Sequence, residues 1–89
     1  MKERYLEVTY RGGRAIAGYL YLSRATGLKS ARTEQAGTGL LVDYGADGTP
    51  IGLEITAPTL VSITEIDVVL ERLHLQPLAV GELAPLRAA

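Results

Sequence analysis

Apolar and polar residues alternate with a period of two from Arg4 to Ile55, and after Pro58 the period becomes helical. Leu6, Val8 and Tyr10 alternate with Tyr5, Glu7 and Thr9, a half-buried strand. Arg11-Gly12-Gly13-Arg14 follows, and two glycines permit the positive φ of a tight hairpin. Ile16 to Leu22 is the next strand, with Leu20 and Leu22 on one side and Tyr19 and Tyr21 on the other; Gly18 marks a weak spot or bulge. A loop around Ala25-Thr26-Gly27 leads into a short polar strand from Lys29 to Gln35.

Leu40, Val42 and Tyr44 alternate with Leu41 and Asp43, Gly45-Ala46-Asp47-Gly48 turns the chain, and Ile51, Leu53 and Ile55 return. Asp-Gly in a four-residue loop fits a type I turn closed by a left-handed glycine. Aligning the apolar sets places Val42 opposite Ile51 and Leu40 opposite Leu53. Further on, Ser62-Ile63-Thr64-Glu65 is a capping box with Val61 and Ile66 at staple positions. Ile63, Ile66, Val69, Leu70 and Leu73 line one helical stripe, and Pro77 bounds the helix.

These elements predict a single α+β domain over 1–89: an antiparallel β-meander of four to five strands over 5–57, one amphipathic helix over 62–76 packed on one sheet face, and a C-terminal arm over 77–89. Two apolar sets stay unplaced. Val68 and Leu75 point away from the helical stripe, and the arm carries Leu78, Val80, Leu83 and Leu86. The arm either folds back over the helix or packs on a second subunit. A lone chain would also leave Tyr19, Tyr21 and Leu41 wet on the second sheet face. A homodimer is therefore expected, with Tyr5, Tyr19, Tyr21, Leu41, Val68, Leu75, Leu78 and Val80 as its contact residues.

Composition narrows the functions. Eighty-nine residues at 47% hydrophobic and 21% charged describe one ordinary globular core. No apolar run is long enough to cross a bilayer, and the charged start (Lys2, Glu3, Arg4) has no secretory h-region, so the expected home is the cytoplasm, away from membranes. The absence of cysteine removes disulfides, thiolate metal sites and cysteine nucleophiles. Net charge is −1, yet residues 1–32 hold seven bases against two acids and residues 33–89 two bases against eight acids. That polarity suits a charged partner or a self-complementary contact, and equally suits strands pairing basic against acidic.

The hairpin residues resemble a known family. Tyr19-Leu20-Tyr21-Leu22-Ser23, Thr33-Glu34, Leu41-Val42-Asp43-Tyr44-Gly45-Ala46-Asp47-Gly48 and Ile51-Gly52-Leu53-Glu54-Ile55 are similar to a small bacterial domain-of-unknown-function family with the pattern Y-I-x-L-S … T-x-E … V-x-V-D-Y-D-x-x-G-x-x-V-G-I-E-I. The resemblance spans about residues 5–57. It implies no activity, cofactor or catalytic residue; its genomic company of small toxin-like proteins implies an antitoxin-like or regulatory role with a small protein partner. Members often carry acids in the first turn, where this chain has Arg11-Gly12-Gly13-Arg14, so no role of those acids transfers.

Candidate chemistry is sparse, and neither a cofactor nor a metal site is expected. Asp43 and Glu54 share a face with Tyr19 and Tyr21, but the aligned register separates them by four residues, about 13 Å. Paired glycosidic carboxylates need roughly 5–9.5 Å. Glu34 or Glu7 could stand closer, so Glu34, Asp43 and Glu54 form a candidate acidic cluster for an enzyme or ligand binder whose pocket lies between subunits. His74, the one histidine, sits where the helix dipole favours a cation, and it has no carboxylate three or four residues after it. Ser23, Ser30 and Ser62 lack a nucleophile context, and no glycine turn opens a helix that could cradle phosphate. Arg4, Arg11, Arg14, Arg24 and Arg32 beside Tyr10, Tyr19 and Tyr21 could meet nucleic acid through the basic hairpin. Repulsion from Glu7, Glu34, Asp43 and Glu54 and a pI near 5.7 disfavour it. The residues favour a non-enzymatic, self-associating protein-binding module.

Overall fold

The computed structural model describes residues 4–22 and 29–87. Five strands, β1 (Tyr5–Arg11), β2 (Arg14–Tyr21), β3 (Arg32–Gly37), β4 (Leu40–Tyr44) and β5 (Pro50–Ile55), precede a 3₁₀ turn (Pro58–Leu60) and two helices, α1 (Ile63–Arg72) and α2 (Ala84–Arg87). The strands form one antiparallel sheet in the order β1-β2-β5-β4-β3. The α+β antiparallel architecture read from the sequence is the observed one. The strand order departs from the continuous meander expected over 5–57: β5, not β3, pairs with β2, so β5 sits at the centre and joins the β3-β4-β5 meander to the β1-β2 hairpin. The loop around Ala25-Thr26-Gly27 lies outside the described residues.

Turn chemistry explains both predicted hairpins. Gly12 and Gly13 take φ of 60° and 78°, the double positive-φ requirement of a two-residue I′ loop closing the Arg11–Arg14 pair. At the second, Gly48 donates to the Gly45 carbonyl and takes φ of 88°, and the Asp47 carboxylate accepts from the Thr49 amide. That bond lowers the Asp47 pKa. The loop amide is therefore held by Asp47.

Register differs from the sequence alignment by two residues. Leu40 faces Ile55, Val42 faces Leu53 and Asp43 faces Gly52, with an irregularity between Asp43 and Tyr44 that absorbs the difference next to Pro50. Alternation fixes which face a residue occupies, whereas turn length and bulges fix its partner. The bulge expected at Gly18 lies instead at Ile16, since Thr9 pairs with Ala17 and Tyr10 with Ala15. Gly18 is regularly paired, and it serves as a seat: a Cβ there would stand 2.9 Å from a Leu86 methyl.

The core lies between one sheet face and the C-terminal elements. Leu20, Leu40, Val42, Leu53 and Ile55 meet Val61, Ile66, Val69 and Leu70. Leu83 and Leu86 of the arm complete the same cluster, each 3% exposed. The arm thus packs on its own protomer. Polar clamps fix its course: the Arg4 guanidinium reaches both Glu82 oxygens at 2.9 and 3.0 Å and the Gln76 and Pro77 carbonyls, Tyr10 donates to the Pro85 carbonyl at 2.9 Å, and Leu78 donates its amide to Asp67 at 2.8 Å. Charge-assisted, bidentate contacts of a partly buried arginine are the strong kind.

The helix begins as predicted. Ser62 Oγ accepts from the Glu65 amide at 3.1 Å and Glu65 Oε1 accepts from the Ser62 amide at 2.8 Å. It ends earlier than Pro77. His74 adopts φ of 61°, its amide donates to the Glu71 carbonyl, and Leu75 donates to the Leu70 carbonyl at 2.9 Å. This is a Schellman closure with histidine where glycine is usual. The reversal carries Leu75 back against the core, correcting its assignment to the far side of the helix. Because a left-handed conformation costs an L-residue about 1–2 kcal/mol, His74→Gly is expected to raise unfolding stability by about 1 kcal/mol in urea titration. An unchanged midpoint would mean that His74 contacts offset the strain.

Candidate functional site

The sheet face opposite the helix stays uncovered by the described chain, and alternation gathers most of the chemistry on it. Pairing across the strands sets two rows: Tyr5, Tyr21, Gly52, Asp43 and Thr33 in one, and Glu7, Tyr19, Glu54, Leu41 and Gln35 in the other. Tyr5 is 61% and Tyr21 36% exposed, while Tyr19, Leu41, Asp43 and Glu54 are half-buried.

The rings interlock. Tyr19 and Tyr21 meet edge-to-face with centroids 4.8 Å apart, and Tyr5 tilts against Tyr21 at 5.4 Å. Tyr21 donates its hydroxyl to Glu7 at 2.8 Å. Tyr19 lies across the neighbouring strand and donates to Asp43 Oδ2 at 2.7 Å, while Thr33 donates to Asp43 Oδ1 at 2.5 Å. The bridge spans β2, β5, β4 and β3. It is possible because Gly52 lies beneath the Tyr19 ring, where a Cβ would collide with the phenol carbon and oxygen. The room that Gly52 leaves is filled by Tyr19.

Burial, followed by the hydrogen bond to Asp43, pushes the Tyr19 phenol well above the ordinary tyrosine value. The bond to Glu7, followed by desolvation, raises Tyr21 as well. Both phenols are donors at neutral pH. Since the folded protein holds the Tyr19 proton more tightly than the unfolded chain, this contribution is complete below about pH 10 and fades as pH climbs towards the folded value. Absorbance at 295 nm should show Tyr19 ionising only as the fold opens. Tyr19→Phe should remove that late step, and a Tyr19→Phe titration matching wild type would refute the assignment.

The acidic cluster changes membership. Glu34 pairs with Val42 on the helix side of the sheet, next to Arg32, which ion-pairs with it at 2.7 Å and lies over the Tyr44 ring at 4.3 Å. Glu7 takes its place on the outer face. Asp43 and Glu54 also come closer than the sequence register implied, since Glu54 stands two residues from Gly52, Asp43's partner; such diagonal neighbours lie about 7–8 Å apart. The acids and Tyr19 thus meet within one protomer, with no subunit boundary required.

The remaining predicted contacts scatter. Val68 is 43% exposed on α1 and Val80 wholly exposed at the tip of the arm, whereas Leu75 and Leu78 pack partly against the core. The basic residues scatter too. Arg4 clamps the arm, Arg32 sits on the helix side, Arg11 and Arg14 flank the first turn, and Arg24 and Ser23 lie outside the described residues. Among the described residues no group of three or more His, Cys, Asp or Glu side chains is placed to hold a metal, and no helix is long and apolar enough to cross a membrane.

Comparison with protein-family models, curated proteins and solved structures finds no match, so the family resemblance of the hairpin residues gains no support and function must be read from the face itself.

Proposed function

We propose that the chain is a non-enzymatic protein-binding module whose contact surface is the outer sheet face. The observation that carries this reading is the interlocked trio Tyr5, Tyr19 and Tyr21, with Tyr21 bonded to Glu7 and Tyr19 to Asp43, and with Tyr5 and Tyr21 open to solvent. Pre-ordered tyrosines lose little conformational freedom on docking and offer both area and a hydroxyl. The same openness weighs against catalysis, because Asp43 and Glu54 stand on an open sheet rather than in a water-excluding cleft.

Self-association had two supports in the sequence, the oily arm and the open face. The arm now occupies its own protomer, which leaves the face. A photoreactive amino acid at position 21 tests the reading in the native cell: adducts are expected there and not from position 11, at the remote hairpin. Absence of any adduct at position 21 rejects the face as a contact surface. Light scattering of the purified chain at micromolar concentration separates a second copy from a different partner.

A further inference from the structure

Resting on that reading, we propose that the outer face receives a basic partner, an extended arginine- or lysine-rich segment of another protein. The two rows contain Glu7, Asp43 and Glu54 and not one base; the bases that parity brings to this face, Arg11 and Arg14, stand at its end, beyond the bulge at Ile16. Two copies meeting face to face would set these carboxylates against each other, and nucleic acid would bring further negative charge. A cationic segment is the complement.

The geometry suits such side chains. A cation is attracted to a tyrosine face within about 6 Å of the ring centroid, and the exposed Tyr5 and Tyr21 rings lie beside Glu7, which already accepts from Tyr21. A guanidinium stacked there reaches ring and carboxylate together. Glu54 accepts no hydrogen bond from any described side chain, though it is half-buried between Tyr19 and Leu41. A half-buried carboxylate to which no described side chain donates is open to an incoming charged donor. Glu7 and Glu54 occupy one row two strands apart, about 9–10 Å. Nearby basic residues of a peptide running across the strands can reach both.

The test uses the full chain and a fluorescein-labelled nine-residue polyarginine peptide, with polyglutamate of equal length as control, read by fluorescence anisotropy. Polyarginine should bind and polyglutamate should not. The paired substitution Glu7→Gln and Glu54→Gln should weaken polyarginine about tenfold, and Tyr21→Ala severalfold. Amide shifts of the wild-type protein should move at Tyr21, Asp43 and Glu54 on peptide addition, a measurement independent of whether the variants fold. No binding, or binding that leaves those amides unmoved, overturns the basic partner. Adducts from position 21 without polyarginine binding would reject the partner's chemistry and keep the binding module; loss of both rejects both. A two-chain mass that falls to one chain in Tyr21→Asp would identify the occupant as a second copy and overturn the proposal.

Discussion

Leu53→Ala is expected to cost about 3–5 kcal/mol of unfolding free energy, a large share of the roughly 5–15 kcal/mol that holds a typical domain folded. Leu53 is fully buried on the central strand, paired with Leu20 on β2 and Val42 on β4, both of which are themselves buried. Above this row lie Ile66 and Leu70, also without exposure. The hole left by the lost methyl groups has walls on two neighbouring strands and a helix, and neither strand can close it without breaking ladder hydrogen bonds. That places the expected loss in the upper part of the large-to-small range. Val80→Ala is the matched control: the same class of change at a wholly exposed side chain should alter stability by less than about 0.5 kcal/mol. Urea titration of both variants checks the pair. A loss below about 1 kcal/mol at Leu53 would mean that β5 is not the centre of the sheet.

That centre shows where sequence reading succeeds and where it stops. Period-two alternation identified Leu20, Leu40, Val42, Leu53 and Ile55 as one face, and the capping box placed the start of α1, because each signal is local and carries its own geometry. Register failed because it depends on the irregularity beside Tyr44, and nothing in Asp43-Tyr44-Gly45 announces it. The end of α1 failed for a related reason. The Schellman turn is usually marked by glycine, and here a histidine takes the left-handed position, so Leu75 looked stranded when it is partly buried. The arm was undecidable from pattern alone. Its course is set by Arg4, 78 residues away from Glu82 along the chain, and by Leu86 resting on Gly18. Glycine in the middle of a strand was the one visible sign, and it signalled close approach rather than the bulge it was read as. The outer face was half legible. Tyr19, Tyr21, Asp43 and Glu54 fell on it by parity, while Glu34 was assigned to it although its pairing with Val42 puts it behind the sheet.

The second glycine of this kind, Gly52, controls the face on which the proposed binding depends. In Gly52→Ala the new Cβ occupies the space of the Tyr19 phenol, and the side that must yield is the ring, since Gly52 is buried in the central strand and paired on both sides. Swinging the ring outward breaks its bond to Asp43 and its edge contact with Tyr21. A hydrogen bond to a charged acceptor contributes about 1.5–3 kcal/mol and an aromatic pair about 0.5–1.5, whereas replacing a strand glycine by alanine returns roughly 0.5–1 kcal/mol of chain entropy. The balance is a net loss of about 2 kcal/mol. Tyr19→Phe forfeits the hydrogen bond alone and leaves Gly52 free to seat the ring, so it should cost as much as Gly52→Ala to within about 1 kcal/mol while preserving most of the tyrosine packing. The two effects should not add: once Gly52→Ala has expelled the ring, removing its hydroxyl has little left to disrupt, and the double variant should match Gly52→Ala within about 0.5 kcal/mol. Additive losses in denaturant titration would show that the ring is not seated over Gly52. Contact by a partner should separate the two variants, with Gly52→Ala weakening position-21 adducts more than Tyr19→Phe, because docking needs the rings already in place.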